Sequence, residues 1–488
     1  MIAIGQYLDI SEVVCTATDY IVRQMDMSNI AQNIVFAVSS NYGSASARIV
    51  ENAKGILTSD GWEAGVASWD NIPVSVISQV VGEDYFFVPT EWDRCMFIIK
   101  LIERRLEAGN DDPEDILLLK SVLNHKIHYC HMPPEKLQDL ETYFDINGNP
   151  YIDPQVLHQS LWQAVYLQRM VVTSRDSSNL SNLISSPTPP TTDCPWFRVP
   201  IKDETLSGLP TELDRCLDES LSSTVSASRD NDDIEESCKA TQGNVESEKV
   251  FTWTKIPPFR FSIAFANVSD LQSDKRVYGK TFWYAGSYWN LYLQKNHIPA
   301  KNTYQVGVYL HRANNATSNI SAKNGLLNPD IFLHNVNYES TPKRYSQFNS
   351  SPSESDFDVY KFNSGLKGQE EKENIRDDTI ASIKYTDQTH ELIRSSSSFS
   401  RSRNSSSDER SLLTYEDHRN SIKVFFVIFT PSRRSKPTTT SFLSVPNDFC
   451  RSQSWGWKSN SMCVFNEDGT FPEGHDPHLK FMIVLGDV

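Results

Sequence analysis

The apolar positions of the first 170 residues follow the spacing of amphipathic helices. Val13, Ala17 and Ile21 recur every four residues, which is the spacing of one face of an α-helix. Similar stripes repeat along this part of the chain, and each follows a residue type that caps helices. The predicted capping residues are Ser11, Ser28 and Thr90, with Asp93 completing a capping box after Thr90, and a further helix is predicted from Ser44. We therefore expect an all-helical domain over residues 1–170.

The helical spacing is present from the first residues of the chain. Ile4, Tyr7 and Leu8 already occupy one helical face, although no capping residue or turn precedes them. We expect a segment upstream of Met1 to pack on these three side chains, and we expect them to be exposed without it.

From about residue 251 the apolar period changes to two. Phe261, Ile263 and Phe265 alternate with polar or small residues, as in a strand with one buried face. The run SIKVFFVIFT at 421–430 is apolar on both faces, which is typical of a central strand. At least six strands follow one another without an intervening helical pattern. This order predicts an antiparallel β-sandwich over residues 251–488.

Two stretches carry neither period. Residues 171–250 are rich in Ser, Thr, Pro and acidic residues, and a second stretch at about 312–417 contains the run RSSSSFSRSRNSSSDERS. Such compositions bury too little apolar surface to offset chain entropy, and ordered loops of this length are uncommon. The predicted fold class is therefore multidomain α+β: a helical domain and an antiparallel sandwich, with a disordered linker and a disordered insertion.

The charge and cysteine content point to protein partners inside the cell. The 488 residues carry a formal net charge of −16, which disfavours nucleic-acid or anionic-membrane binding because both need surplus Lys and Arg. No apolar run reaches the roughly 18–20 residues that span a bilayer, and no secretory signal follows Met1. The eight cysteines include no CxxC pair, so we expect reduced thiols in a cytoplasmic or nuclear protein.

No motif indicates an enzyme, a cofactor or a metal site. The densest group of possible metal ligands is His125, His128, Cys130 and His131. Because no second ligand pair completes a four-coordinate zinc site, packing histidines are the favoured interpretation. The run DINGNPYID starts like a calcium loop, but Pro150 stands at the sixth position instead of Gly and Val156 at the twelfth instead of Glu, so it predicts a turn. The nucleophile elbow, Walker loop and dinucleotide fingerprint are absent from the sequence.

One phosphorylation site is predicted in the serine-rich run. Ser406 follows Arg401 and Arg403, a pattern that basophilic kinases prefer, and its surroundings are too polar to form a core. A phosphate there would place negative charge in a locally basic patch. Because such patterns are frequent by chance, an unmodified serine is the competing interpretation.

The helical part contains five short motifs in order along the chain. They are YLDISEVV, NIVFA followed by Tyr42-Gly43, GWE at 61–63, VPTEWDR at 88–94 and IHYCHM at 127–132. Together they resemble the BACK-like helical region of fungal BTB proteins, in which a BTB (POZ) domain comes immediately before this point. The resemblance implies that IAIGQYLDI is the tail of a BTB domain whose body is missing from this chain.

The strand-rich part contains a second set of motifs. They are YAGSYWNLYLQ with its Gly-x-x-Trp spacing, VYLHR, WGW at 455–457 and a closing strand LKFMIVLGDV. Together they resemble a MATH, or TRAF-like, domain. The stretch at 312–417 departs from that family, whose strands are usually joined more directly at this place.

The two resemblances imply a protein-interaction function without chemistry. BTB–BACK proteins with a MATH-like domain commonly act as substrate adaptors of cullin-RING ubiquitin ligases. The BTB domain and the start of BACK would bind the cullin and support self-association, and the sandwich would bind the protein substrate. The competing hypothesis is a scaffold, or a regulator of transcription or polarity, that uses the same domains without ubiquitin transfer.

The resemblance also implies where a partner docks, because TRAF-like sandwiches receive an extended peptide across one sheet. We expect Tyr288 and Tyr292 to project from the face opposite the core residue Trp289, as large and stiff interface anchors. The full set of predicted protein-binding residues is Tyr284, Tyr288, Tyr292 and Tyr309. In the competing interpretation these aromatic residues pack in the core and across strands, or lie beneath the insertion.

Overall fold

The computed structural model describes residues 1–109, 112–174, 185–186, 196–209, 252–313 and 415–488, apart from short gaps. The gaps are 274, 300–301, 416, 433–436, 460–464, 467–468 and 472–477. Most of the predicted insertion, including Ser406, lies outside the described residues, so its disorder and its phosphorylation stay predictions.

Residues 1–174 form a helical domain, as predicted. Its helices are α1 (Ile2–Tyr7), α2 (Ser11–Gln24), α3 (Ile30–Ser39), α4 (Ser44–Asp60), α5 (Val74–Val81), α6 (Glu91–Glu107), α7 (Pro113–Lys126), α8 (Pro134–Leu140) and α9 (Pro154–Thr173). Trp69, Phe86 and Phe97 meet edge-on or tilted at the centre of the domain, with ring centroids 5.6–6.0 Å apart. The helices are therefore held together mainly by buried apolar faces.

The helix caps follow the prediction in one of three places. Thr90 caps α6, since its hydroxyl accepts a hydrogen bond from the Asp93 N–H at 3.1 Å. The predicted capping roles of Ser11 and Ser28 are wrong, because Ser11 is already the first residue of α2 and the Ser28 hydroxyl donates to Asp26 instead. The helix predicted from Ser44 is confirmed as α4.

The first helix has an exposed apolar face. The side chains of Ile4, Tyr7 and Leu8 are exposed, Tyr7 by 89%, as the sequence predicted. Ile2 is buried instead, against the core of the helical domain.

Apart from short 3-10 helices at Val66–Trp69, Tyr129–His131 and Val268–Asp270, the remaining described elements are strands. They are β1 (Ser185–Ser186), β2 (Phe197–Val199), β3 (Glu204–Gly208), β4 (Thr252–Thr254), β5 (Phe259–Phe265), β6 (Arg276–Tyr278), β7 (Phe282–Tyr284), β8 (Ser287–Ile298), β9 (Thr303–Ala313), β10 (Ser421–Pro431), β11 (Thr439–Cys450), β12 (Ser454–Ser459) and β13 (Leu479–Asp487). The named strands pair in antiparallel fashion throughout.

Two five-stranded sheets build the C-terminal part. The first sheet has the order β3-β11-β10-β13-β5, and the second has the order β12-β9-β8-β6, with β7 paired to β8. Alternate side chains of both sheets meet in one apolar core that includes Phe261, Trp289, Val308 and Phe426. The sheets therefore pack face to face as an antiparallel sandwich, with the period-two pattern setting which residues face inward.

The helical domain covers the outer face of the first sheet. Tyr85 and Phe87, from the loop before α6, pack on Phe429, Met482 and Val484 of strands β10 and β13. This contact explains why the run at 421–430 is apolar on both faces. The prediction that it forms a central strand is confirmed, since β10 lies between β11 and β13.

The segment predicted as a linker contains regular structure in part. Strand β3 extends the first sheet by pairing with β11, and β2 pairs with β4 in a small separate sheet. Residues 197–208 therefore differ from the predicted disorder because the sheet supplies partners for their backbone groups. The other residues of 171–250 lie largely outside the part of the chain that the structure describes.

Candidate functional site

One buried arginine fastens the sandwich to the helical domain. Arg260 projects from the outer face of β5 and is 2% exposed. Its guanidinium donates to both carboxylate oxygens of Glu91, at 2.5 and 2.9 Å, and to Asp84 at 2.8 Å. Its remaining N–H groups reach the backbone carbonyls of Gly82 at 3.2 Å and Lys126 at 2.8 Å. All five donors of the guanidinium are therefore used.

The charges around Arg260 balance one another. Burial alone would raise the pKa of Glu91, but the positive charges of Arg260 and Arg94 outweigh it and hold the pKa well below its usual range. Glu91 itself is 4% exposed, so its carboxylate depends on these partners for its charge. This group of residues is a structural ion network with every arginine donor of Arg260 occupied.

Two of the histidines considered as metal ligands form hydrogen bonds with the backbone just before β5. Nδ1 of His128 lies 2.7 Å from the carbonyl oxygen of Pro258, and Nε2 of His131 lies 2.6 Å from that of Pro257. Burial, together with the charge of Arg260, lowers the pKa of His128 to about 3, so its ring is neutral. Among the described residues, no three acidic, histidine or cysteine side chains are grouped as metal ligands would be.

The run DINGNPYID forms a turn, as predicted. Oδ1 of Asp145 accepts hydrogen bonds from the N–H groups of Asn147 and Asn149, at 3.0 and 2.8 Å. Its other carboxylate oxygen pairs with Lys120 at 2.9 Å. The oxygens that a calcium loop would turn toward an ion are therefore engaged in holding the turn.

A row of tyrosines crosses the outer face of the second sheet. Tyr278 of β6 lies directly opposite Tyr292 of β8, which in turn lies opposite Tyr309 of β9. The Tyr292 and Tyr309 rings stack with centroids 4.8 Å apart and an angle of 13°, and Tyr278 lies 5.0 Å from Tyr292. We call these three residues, with Asn290 and His311, the outer tyrosine face.

Two glycines fix the Tyr309 ring against the sheet. A Cβ atom at Gly307 would lie 2.5 Å from Cε2 of Tyr309, and one at Gly456 would lie 2.6 Å from its Cδ1. A larger residue at Gly307 would push the ring away from the sheet, whereas one at Gly456 would first meet the carbonyl oxygen of Val308. The neighbouring strands therefore hold Tyr309 flat, with its outer side half-buried.

Polar groups adjoin the tyrosine row. Asn290 follows the inward-facing Trp289 on β8 and lies opposite His311, whose Nδ1 is 2.8 Å from the hydroxyl of Ser454. Asn290 is 1% exposed, and its side-chain amide has no hydrogen-bond partner in the described part of the chain. Because buried amides normally pair, this amide is an unsatisfied polar group inside the sheet and not an accessible contact point.

An edge strand borders the outer tyrosine face. Strand β12 ends the strand order of the second sheet and, among the described strands, pairs with β9 alone. An edge strand presents backbone N–H and C=O groups on its unpaired side. The face thus combines an aromatic surface with a strand edge that can accept another extended segment.

The four predicted tyrosines fall in three environments. Tyr292 and Tyr309 belong to the outer tyrosine face, whereas Tyr288 lies at the end of the same face and meets Trp283 at 4.8 Å. Tyr284 is 3% exposed and its hydroxyl accepts the Asp487 N–H at 2.9 Å, so it is a core residue rather than part of a face. The expected exposure of Tyr292 is also wrong, because neighbouring rings leave only 3% of it accessible.

No protein-family model matches this chain. No curated protein matches it significantly either. Among the helices that the structure describes, none is long and apolar enough to cross a membrane. The observed architecture is thus a helical domain followed by antiparallel sheets, without a family assignment.

Proposed function

We propose that this chain is a non-enzymatic adaptor that captures an extended segment of a protein substrate on the outer tyrosine face. The observation that carries the proposal is the contrast between the two sheets. The outer face of the first sheet is occupied by Tyr85 and Phe87 of the helical domain. The second sheet presents the half-buried rings of Tyr278 and Tyr309 and an edge strand.

The chemistry of this face suits a peptide in strand conformation. Such a peptide adds backbone hydrogen bonds along β12 and places alternate side chains over the sheet. Tyr309 lies opposite Gly456 of β12 and is half-buried, so it offers a rigid ring next to the edge strand for an apolar side chain of the peptide.

The resemblance to BTB–BACK and MATH-like domains extends the proposal to ubiquitin transfer. The motifs that carry the MATH resemblance lie on strands β7 to β9, β12 and β13. We propose that the substrate bound by the sandwich is presented to a cullin-RING ligase held through the N-terminal side of the chain. The exposed Ile4, Tyr7 and Leu8 are apolar surface on that side.

A random-peptide display selection with the full chain tests substrate capture. We expect selected peptides to lose affinity about tenfold with Tyr309→Ala, the effect of a moderate interface anchor. Gly307→Ala should weaken binding as well, because its methyl group displaces the Tyr309 ring without removing it. The matched control is Tyr166→Ala on α9, another partly exposed tyrosine, which should leave affinity unchanged.

One result would contradict the proposed face, and a second would separate the two hypotheses about ubiquitin. Equal affinity of the wild-type chain and Tyr309→Ala for every selected peptide would contradict the proposed face. Peptide capture without co-purification of a cullin, tested with a chain that includes any upstream coding sequence, would favour the scaffold hypothesis over the ligase adaptor.

A further inference from the structure

A cavity lies on the opposite side of the sandwich from the outer tyrosine face. It has a volume of about 540 Å³ and lies between the helical domain, strands β2 and β3, and the outer face of the first sheet. Its walls include Tyr85, Trp196, Phe197, Phe425, Phe429 and Leu443. Cavities of roughly 300–1,000 Å³ with mainly apolar and aromatic walls are typical small-molecule sites.

Charged groups of the wall have partners within the protein, and the guanidinium of Arg198 lies 6.0 Å from the centre of the Trp253 ring. Arg260 uses all five donors within the protein, on Glu91, Asp84 and two carbonyl groups. Lys126 pairs with Glu83 at 3.2 Å. A charged ligand would have to break one of these pairs, so the cavity favours an uncharged one.

One polar group of the wall has no partner. Ser441 lies on β11 opposite Phe429 and Leu206, and it is 1% exposed. Its hydroxyl has no hydrogen-bond partner among the described residues. A buried hydroxyl without a partner is unfavourable, and a ligand with one hydrogen-bonding group would remove that cost.

We infer that this cavity binds an uncharged, largely aromatic small molecule whose single hydroxyl or carbonyl group pairs with Ser441. The assignment combines the aromatic walls, the internally paired charges and the unpartnered hydroxyl. It is independent of peptide capture, because the two sites lie on different sheets.

The test compares 2-naphthol with naphthalene by equilibrium dialysis against the full chain. The two compounds share the fused aromatic body, and only 2-naphthol carries a hydroxyl. We expect saturable binding of both compounds at one site. Ser441→Ala should weaken 2-naphthol about fivefold, the effect of one hydrogen bond, and leave naphthalene unchanged.

Two further variants locate the probe. Val427→Trp places an indole in the cavity and should abolish binding of both compounds. Thr430→Val removes another buried hydroxyl without a partner, outside the cavity walls, and should change neither affinity.

The assignment is overturned by any of three results. These are the absence of saturable binding to the wild-type chain, an equal effect of Ser441→Ala on both compounds, and binding that survives Val427→Trp. Circular dichroism of each variant shows that the fold is retained. Ser441→Ala removes one oxygen atom, so it tests the assignment even if the tryptophan variant fails to fold.

Discussion

Replacing Arg260 with methionine should destabilise the whole chain. The change removes the guanidinium but keeps an unbranched side chain of similar length. Glu91 would remain buried at 4% exposure, with Arg94 as its nearest cation at 3.8 Å. Asp84 would lose its ion pair too, but its side chain is 48% exposed and can be hydrated.

The magnitude follows from the charge that is left behind. Removing one partner of a buried ion pair typically costs about 3–5 kcal/mol, since the other charge stays unpaired. Because Arg94 remains near Glu91, we expect the lower end, about 3 kcal/mol in the free energy of unfolding. In the double variant with Glu91→Gln the buried charge is gone, so the two effects should be clearly less than additive.

Urea denaturation, followed by circular dichroism, measures these free energies. The matched control is Arg104→Met, which breaks a similarly short pair with Asp70 whose two side chains are 46% and 44% exposed. Exposed pairs contribute little, so this control should change the free energy of unfolding far less. An equal effect of the two arginine variants, or additivity in the double variant, would refute the role given to Arg260.

Three further predictions concern the sandwich and its junction. The pKa of His128 in the folded protein is about 3, against an ordinary value near 6.5. The neutral ring therefore contributes fully to the free energy of unfolding above pH 6.5, and this contribution is lost as the pH falls. At pH 5 the loss should be about 2 kcal/mol. Urea denaturation at pH 7 and pH 5 should show this loss in the wild type and a smaller one in His128→Asn. Trp289→Ala should unfold the sandwich, since the indole is fully buried and such truncations cost about 3–5 kcal/mol; retained near-UV circular dichroism would contradict this. Replacing residues 314–414 with a short Gly-Ser linker should leave the melting temperature nearly unchanged. The reason is that Arg312 donates to the backbone carbonyl of Arg419 at 3.0 Å and so holds the two ends of this stretch together. A large fall in melting temperature would contradict this prediction.

The periodicity of the apolar residues predicted the fold class because each element buries one face locally. The change from helical to strand spacing near residue 251 matches the start of the run of strands β4 to β13, although the short strands β1 to β3 come before it. It also predicted that the run at 421–430 is buried on both faces. What the pattern could not identify is the covering partner, since Tyr85 and Phe87 are more than three hundred residues away from β10.

The junction was missed for the same reason. Arg260 occupies a polar position of an alternating strand, which by itself predicts a solvent-facing side chain. Its burial depends on Glu91, a residue of a helix in the other domain. The histidines at 128 and 131 were correctly favoured as packing residues, but their backbone partners at Pro257 and Pro258 could not be read from spacing.

The tyrosines show which features of the candidate site can be predicted from strand periodicity. It placed Tyr292 on the opposite face from Trp289, which the register confirms. It could not show that Tyr309 would lie opposite Tyr292 and bury it, because cross-strand register is set by the turns and the sheet. The unpartnered amide of Asn290 is likewise a property of the assembled sheet.

Hydrogen–deuterium exchange with a display-selected peptide tests the proposed binding face most directly. Added to the full chain, the peptide should slow exchange of the backbone amides in β12 (Ser454–Ser459), since those on the unpaired side gain hydrogen-bond partners. The effect should be absent in Tyr309→Ala at the same peptide concentration and present in Tyr166→Ala. Protection confined to the helical domain or to the first sheet, with β12 exchanging as in the free chain, would contradict capture on the outer tyrosine face.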